Sequence, residues 1–111
     1  MKKGIIIYQS KYGATRKYAE WLRRMTGFDC VETPKAWISE VMSYETVLLC
    51  GGIYASGIAG LSFLKKNINK LRDKKIAIFC VGASPYDESA FEEIKAHNLT
   101  GDLKEIPLFY G

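Results

Sequence analysis

The sequence predicts a doubly wound α/β fold, a five-stranded parallel sheet of order 2-1-3-4-5 with helices on both faces. Three observations carry this expectation. Short β-branched apolar runs alternate with segments of helical period along the 111 residues. The apolar runs are continuous rather than alternating, as in strands buried on both faces. The runs at residues 4–9, 46–50 and 75–81 each lead into a short polar or glycine-bearing segment. In open α/β sheets such segments form the ligand-binding edge.

Residues 4–9, beginning Gly4-Ile5-Ile6-Ile7-Tyr8, read as the first strand. A helix follows over 14–26, with Ala14, Tyr18, Trp21, Leu22 and Met25 on one apolar face, so Trp21 is expected in the core. Gly27 is a stop signal. Residues 29–33 give a short second strand. Pro34 suits the start of a helix because its missing N–H is not needed there, and Trp37, Ile38, Val41 and Met42 form its apolar stripe. Residues 46–50 are the third strand, followed by a glycine-rich loop, "GGIYASGIAG", and a helix over 61–71 that buries Leu61, Leu64, Ile68 and Leu71. Residues 75–81 are the fourth strand, ending in "GASPYDES". Asp87 or Ser89 caps the next helix, which buries Ala90, Phe91 and Ile94. The segment "IPLFYG" is the fifth strand, and Pro107 suits an edge position.

Composition bounds the function. Apolar residues make up 48% and charged residues 25%, the profile of one soluble globular domain over 1–111. No apolar run approaches the ~18 residues of a membrane span. The basic start, Met1-Lys2-Lys3-Gly4, leads into a strand and not a signal peptide, since the apolar run is short and no A-x-A-like site follows. Cys30, Cys50 and Cys80 have no metal spacing and read as small hydrophobes in a reducing cytoplasm. The net charge is +4, with the basic excess in "KKNINKLRDKK". That stretch lacks aromatic interleaving and any nucleic-acid module, so nucleic acid is not expected as a partner. It reads as a solvated helix end or as a patch for an anionic partner. His97 stands alone near a helix end and reads as a surface residue.

Right-handed crossovers place the helices that follow strands one and five on the same face of such a sheet. Nothing follows strand five here, so half of that face is expected to lack cover. Either the chain is cut short of a final C-terminal helix, or a second chain covers the exposed half; a homo-oligomer that buries it is expected.

The switch point of a 2-1-3-4-5 sheet lies between strands one and three. Three loops converge there: residues 10–15, 51–60 and 82–89. The first opens onto a helix N-terminus, whose free amides and dipole favour an anion such as a phosphate monoester. Ser10, Tyr12 and Thr15 add hydroxyls, and Gly13 permits close approach. The same segment also reads as a turn with a cap, its hydroxyls satisfying only local backbone. Tyr54 and Tyr86 bring an aromatic ring to each of the other loops, suiting a flat phosphorylated ligand, and ordinary partial burial is the alternative for both. Rival sites lack their residues. Strand one ends in Tyr8-Gln9-Ser10 without the acids of a receiver domain, and no G-x-G-x-x-G or Walker sequence is present.

"SKYGAT" after a strand resembles the FMN-phosphate loop of flavodoxins, and the loops after strands three and four look like that family's two flavin loops. The resemblance covers essentially the whole chain and implies a flavodoxin-like fold with non-covalent FMN. It implies that Ser10, Lys11, Tyr12, Gly13, Ala14 and Thr15 form the phosphate loop. Ile53, Tyr54, Ala55, Ser56 and Gly57 would flank the isoalloxazine on one side, and Ser84, Pro85 and Tyr86 on the other. No catalytic acid or base and no metal is implied. The peptide at Gly57 is the expected place for a carbonyl to turn toward the reduced flavin, and Asp87 and Glu88 would help lower its potential. The stretch from Gly51 to Gly82 looks most similar to the branch that includes quinone-dependent protoporphyrinogen oxidase. That branch implies a redox partner protein, or a quinone or porphyrinogen substrate with peripheral membrane contact. Shuttling flavodoxins are typically very acidic, whereas this chain is basic, which weakens steering toward basic partners. The other reading is a flavodoxin-fold interaction or regulatory module that has lost tight FMN binding.

Overall fold

The computed structural model describes residues 2–10, 13–82 and 85–111. Its strands are β1 (Lys2–Gln9), β2 (Asp29–Glu32), β3 (Tyr44–Tyr54), β4 (Gly57–Ile58), β5 (Lys75–Val81) and β6 (Leu108–Tyr110). Its helices are α1 (Ala14–Thr26), α2 (Ile38–Val41), α3 (Leu61–Asn67) and α4 (Glu88–Asn98). The main sheet is parallel in the order β2-β1-β3-β5-β6, with the short β4 folded back antiparallel on β3. With β4 set aside, this is the expected 2-1-3-4-5 order of a flavodoxin-like fold.

The centre of the sheet is apolar on both faces, which is why its strands read as unbroken runs. Ile5, Ile7, Val47, Leu49 and Ile78 point to one face and pack with Val41, Leu61, Leu64, Ile68 and Ile94. Those partners come from α2, α3 and its 3₁₀ extension, and α4. Ile6, Leu48 and Cys50 point to the other face and pack with Ala19 and Leu22 of α1. Three helices thus lie on one face and α1 on the other.

That asymmetry corrects one expectation. The buried face of α1 is Thr15, Ala19 and Leu22, not the face centred on Trp21. Trp21 is 52% exposed and Met25 is exposed too. Tyr18 and Trp21 sit on the flank of α1 that looks toward β5 and β6, where no described element covers the sheet. Their rings continue a row: Trp21 to Tyr18 at 5.5 Å, Tyr18 to Phe79 at 5.9 Å and Phe79 to Phe109 at 5.2 Å between centroids.

Other departures are local. α2 is a single turn after a 3₁₀ turn over Thr33–Lys35 that takes Pro34, so Val41 is buried while Trp37 and Met42 stay exposed. The helix expected over 61–71 is α3 and then a 3₁₀ turn over Ile68–Lys70, yet Leu61, Leu64, Ile68 and Leu71 are all buried as expected. At the junction Asn67 Nδ2 donates back to the Phe63 carbonyl at 2.9 Å, a side-chain bond that competes with the helical ladder. In α4, Ile94 is buried, Phe91 is half-buried and Ala90 is exposed. Asp87, not Ser89, is the cap: its carboxylate accepts from the Ser89 N–H at 3.3 Å. β6 pairs only with β5, so the strand after Pro107 is at the edge as expected.

The largest correction concerns the glycine-rich segment. β3 does not stop at Cys50 but runs on to Tyr54, and Gly51 and Gly52 continue its register with β5. A Cβ on Gly51 would stand 2.1 Å from the Ala59 carbonyl oxygen. Glycine at 51 is therefore what lets the returning hairpin cross β3 so closely. Ala59 N–H then donates to the Gly52 carbonyl at 2.9 Å.

Candidate functional site

The site is built at the carboxyl ends of β1, β3 and β5. β1 hands the chain to α1 through Ser10 and Gly13. Gly13 holds the N-cap position with φ 92°, a left-handed conformation open to glycine. Ser10 Oγ accepts from the Gly13 N–H at 2.9 Å, closing the turn. A hydroxyl that accepts in this way still carries its own proton to donate. No acidic residue lies in the first turn of α1, and Arg16 and Lys17 follow at once. The first-turn amides of a helix have no intrahelical acceptor, so this end of α1 is electropositive.

Beside it lies a crevice of about 140 Å³ lined by Ala14, Thr15, Gly52, Ile53, Tyr54, Val81 and Gly82. It lies at the carboxyl ends of the neighbouring strands β3 and β5, beside the start of α1 and next to the switch point between β1 and β3. Thr15 is 2% exposed, since it belongs to the buried face of α1 and reaches the crevice from below. Tyr54 folds back over the strand: a Cβ on Gly52 would meet its hydroxyl oxygen at 2.8 Å. Gly82 is covered in the same way by Tyr110, whose hydroxyl oxygen would lie 2.5 Å from a Cβ there.

A second cavity of about 450 Å³ shares Ile53 and Gly82 with the crevice and extends over Pro85, Asp87, Ala90, Phe91, Ile94 and Tyr110. Aromatic rings frame it. Tyr86 is 5.6 Å from Phe91 and 5.7 Å from Tyr110, centroid to centroid. A larger hollow of about 530 Å³ runs along the outer side of α1, lined by Gly13, Trp21 and the charged residues Arg16, Lys17, Glu20 and Arg24. Apart from Gly13 it draws on α1 alone, away from the strand ends, so it is a solvated helix surface.

The structure therefore brings Ala14, Thr15, Ile53 and Tyr54 to one crevice and Pro85 to its neighbour, while Tyr86 packs on the Phe91 and Tyr110 rings that line that neighbour. Ala55 and Ser56 form the tip of the β3–β4 hairpin, with Gly57 opposite Tyr54. They do not line the crevice. Lys11, Tyr12 and Ser84 lie outside the described residues. Sequence reasoning passed over Gly52, Val81 and Gly82, which floor the crevice. Gly52 lies inside β3, Val81 ends β5 and Gly82 follows it; only the two glycines carried a signal, as backbone that a neighbour can approach closely. It also passed over Asn98, which bonds to the hairpin from α4.

A family model described as Flavodoxin domain matches residues 5–111. The chain belongs to the flavodoxin-domain family. No curated protein sequence gives a significant match. Among solved structures, this flavodoxin-domain chain is similar to the flavodoxin, WrbA-like protein from Agrobacterium tumefaciens, with a TM-score of 0.72 and 14% identity over 96% of this chain and 76% of that one. It is similar to a short-chain flavodoxin associated with a non-canonical PDU bacterial microcompartment, with a TM-score of 0.66 and 15% identity over 100% of this chain and 80% of that one. It is also similar to a Fusobacterium nucleatum flavodoxin bound to flavin mononucleotide, with a TM-score of 0.57 and 16% identity over 100% of this chain and 70% of that one. At these identities the likeness is one of fold.

The charge state of the flavodoxin-domain chain around the site is simple. Burial pushes the Cys50 thiol up to about 12 and the Cys80 thiol up to about 11, so neither supplies a thiolate near neutral pH. No group of three or more metal-ligating side chains occurs among the described residues, and no described helix is long and apolar enough to cross a membrane.

Proposed function

We propose that this flavodoxin-domain protein binds FMN non-covalently at the switch-point crevice and serves as an FMN-dependent oxidoreductase or electron carrier. One observation carries the reading: a crevice floored by Gly52 and Gly82 opens beside an acid-free helix N-terminus capped by a left-handed glycine. Those features fit the two ends of the cofactor. First-turn amides of α1, with Ser10 and Thr15, suit the phosphate, and Lys11 and Tyr12 belong to the same loop. Ile53 and Tyr54 face the ring from β3, and Ser84, Pro85 and Tyr86 belong to the opposite loop. The flavin, when bound, supplies the redox chemistry, while the protein supplies placement and electrostatics. The bound FMN of the Fusobacterium nucleatum neighbour supports this choice of cofactor.

The adjoining cavity bears on the substrate. At about 450 Å³, with Ile53, Phe91 and Ile94 among its walls, it has the size and character of a pocket for a flat apolar compound. That favours a quinone over a bulkier porphyrinogen as the substrate, within the protoporphyrinogen oxidase-like reading. The test is to reduce the FMN-loaded protein and follow its reoxidation by a soluble quinone. Saturation with quinone, and a KM raised about tenfold or more by Phe91→Ala, support the pocket as the quinone site. Reoxidation that stays first order in quinone and ignores Phe91→Ala contradicts it.

The second reading is a flavodoxin-fold module without tight FMN binding. It is favoured by the narrowness of the crevice, into which Tyr54 folds, and by the Ser10 hydroxyl's bond to its own turn. FMN titration separates the two readings.

We propose further that a second copy of the chain covers the aromatic row from Trp21 to Phe109. The row carries no charged side chain, so two copies can meet along it without burying an unpaired ion.

A further inference from the structure

The β3–β4 hairpin is built against its own sequence. Its two tip residues, Ala55 at φ 49° and Ser56 at φ 67°, are both left-handed and neither is glycine. Two-residue hairpin turns of this type prefer Asn-Gly because side chains resist positive φ. β4 itself contributes only two residues to the pairing. Such a turn persists where its surroundings over-determine it.

Asn98, the last residue of α4, is the surrounding that does so. It is 5% exposed. Its Oδ1 accepts from the Ile58 N–H at 3.1 Å, and its Nδ2 donates to the Ser56 carbonyl and to the Ile94 carbonyl, each at 2.8 Å. The partners fix the amide's orientation: an N–H can meet only Oδ1, and the two carbonyls only Nδ2. One side chain therefore grips the hairpin on both sides of Gly57 and ties it to its own helix. Burial strengthens the grip, because a released carbonyl or amide there would lose its partner without gaining full access to water.

We infer that Asn98 is a positioning residue for the cofactor crevice: by holding Ser56 and Ile58, it fixes the turn from which Ile53 and Tyr54 reach the site. The inference rests on the proposed FMN reading. It also revises the expectation for Gly57. The carbonyl of the Ser56–Gly57 peptide is already engaged by Asn98, so turning that peptide toward a reduced flavin would break the bond to α4.

The test uses Asn98→Ala, with Asn98→Leu, which keeps the same branched heavy-atom skeleton without polar atoms, as the second variant should the first fail to fold. Amide hydrogen exchange of the protein without cofactor is read first. The expected result is exchange at Ile58 faster by about tenfold or more, with the β1 and β3 core amides unchanged. FMN affinity should fall by about tenfold or more. Ala55→Asn with Ser56→Gly, which gives the turn residues that hold themselves, should restore both in the Asn98 background. Unchanged exchange at Ile58, or exchange that rises equally in the core, overturns the inference. So does faster exchange with undiminished FMN affinity, and so does failure of the turn substitutions to rescue. If the unaltered protein does not bind FMN, the functional reading fails by that result alone, and the exchange and rescue at Ile58 still decide whether Asn98 fixes the turn.

Discussion

The ring of Tyr54 lies back over the backbone of Gly52, two residues earlier on the same strand face. A Cβ at position 52 would stand 2.8 Å from the Tyr54 hydroxyl oxygen and 2.9 Å from Cζ. The far end of a tyrosine can swing, so Gly52→Ala should change the crevice more than the fold. Its expected cost in stability is below about 1 kcal/mol, because the neighbour that must move is a partly exposed ring. Its expected effect on FMN affinity is larger, a loss of about tenfold, because the displaced ring no longer lines the site. Urea unfolding and fluorescence titration of the same variant separate the two. A large loss of stability with unchanged affinity would show that Gly52 serves the sheet and not the site.

The three thiols should differ sharply in reactivity. Cys50 and Cys80 are fully buried and their pKa values are pushed up to about 12 and 11, while Cys30 is only half-buried. Burial raises the Cys30 thiol as well, but Cys50 and Cys80 are shut off from solvent and reagent and Cys30 is not. A colorimetric thiol reagent should label Cys30 first and the other two only as the protein unfolds. Rapid labelling of all three in the folded protein would contradict the buried placement of β3 and β5.

Alkaline pH should destabilise the fold in a window set by buried acids that fold in their neutral form. Tyr44 Oη donates to Asp29 Oδ2 at 2.5 Å, linking β3 to β2, and that bond to a carboxylate pushes the phenol up to about 12. A raised folded pKa means the neutral phenol is favoured in the folded state. The contribution is complete below pH 10, the unfolded value, and is lost as pH rises from 10 toward 12. Cys50 and Cys80 act in the same direction from about pH 9. Tyr44→Phe should lower stability by about 1–2 kcal/mol at pH 7 and flatten the decline above pH 10. An equal decline in both proteins would remove Tyr44 from the explanation.

The sheet was legible because burial on both faces leaves an unmistakable pattern: Ile5 to Ile7 or Val47 to Cys50 can be little else. Alternation pointed to a parallel doubly wound sheet; 2-1-3-4-5 is one of the orders such a sheet takes, and the resemblance to flavodoxins agreed with it. What escaped was set by contacts distant in sequence. Trp21 fits an apolar stripe perfectly well, and only the extent of α1 over the sheet shows that the buried stripe is Thr15, Ala19 and Leu22. Gly51 to Tyr54 read as loop because glycines usually break strands, whereas here the crossing of Ala59 demands one. Asn98 gave no signal at all, since its partners Ser56 and Ile58 lie some 40 residues away. Thr15 and Tyr54 were legible as candidates for the crevice they line because each stands close in sequence to a strand end, whereas Ser10 closes the turn before α1.

The aromatic row makes a prediction about assembly. Phe109 is 49% exposed at the end of a row that already stacks its inner members. Self-association through it should weaken by about tenfold or more with Phe109→Ser, with helix and sheet content unchanged. Sedimentation at tens of micromolar protein is the measurement. A clean monomer for the unaltered chain would leave the row to another partner and sink the proposed dimer.

The central claim is that the switch-point crevice holds FMN, and the most direct measurement is fluorescence titration of FMN against the cofactor-free protein and its Thr15→Val variant. Valine matches threonine in shape and replaces only the hydroxyl of this crevice-lining residue at the start of α1. Quenching with micromolar or tighter affinity in the unaltered protein, weakened by about tenfold or more in Thr15→Val, is the predicted result. No quenching by the folded, unaltered protein at about 100 μM FMN would contradict the claim and leave a flavodoxin-shaped module with another task.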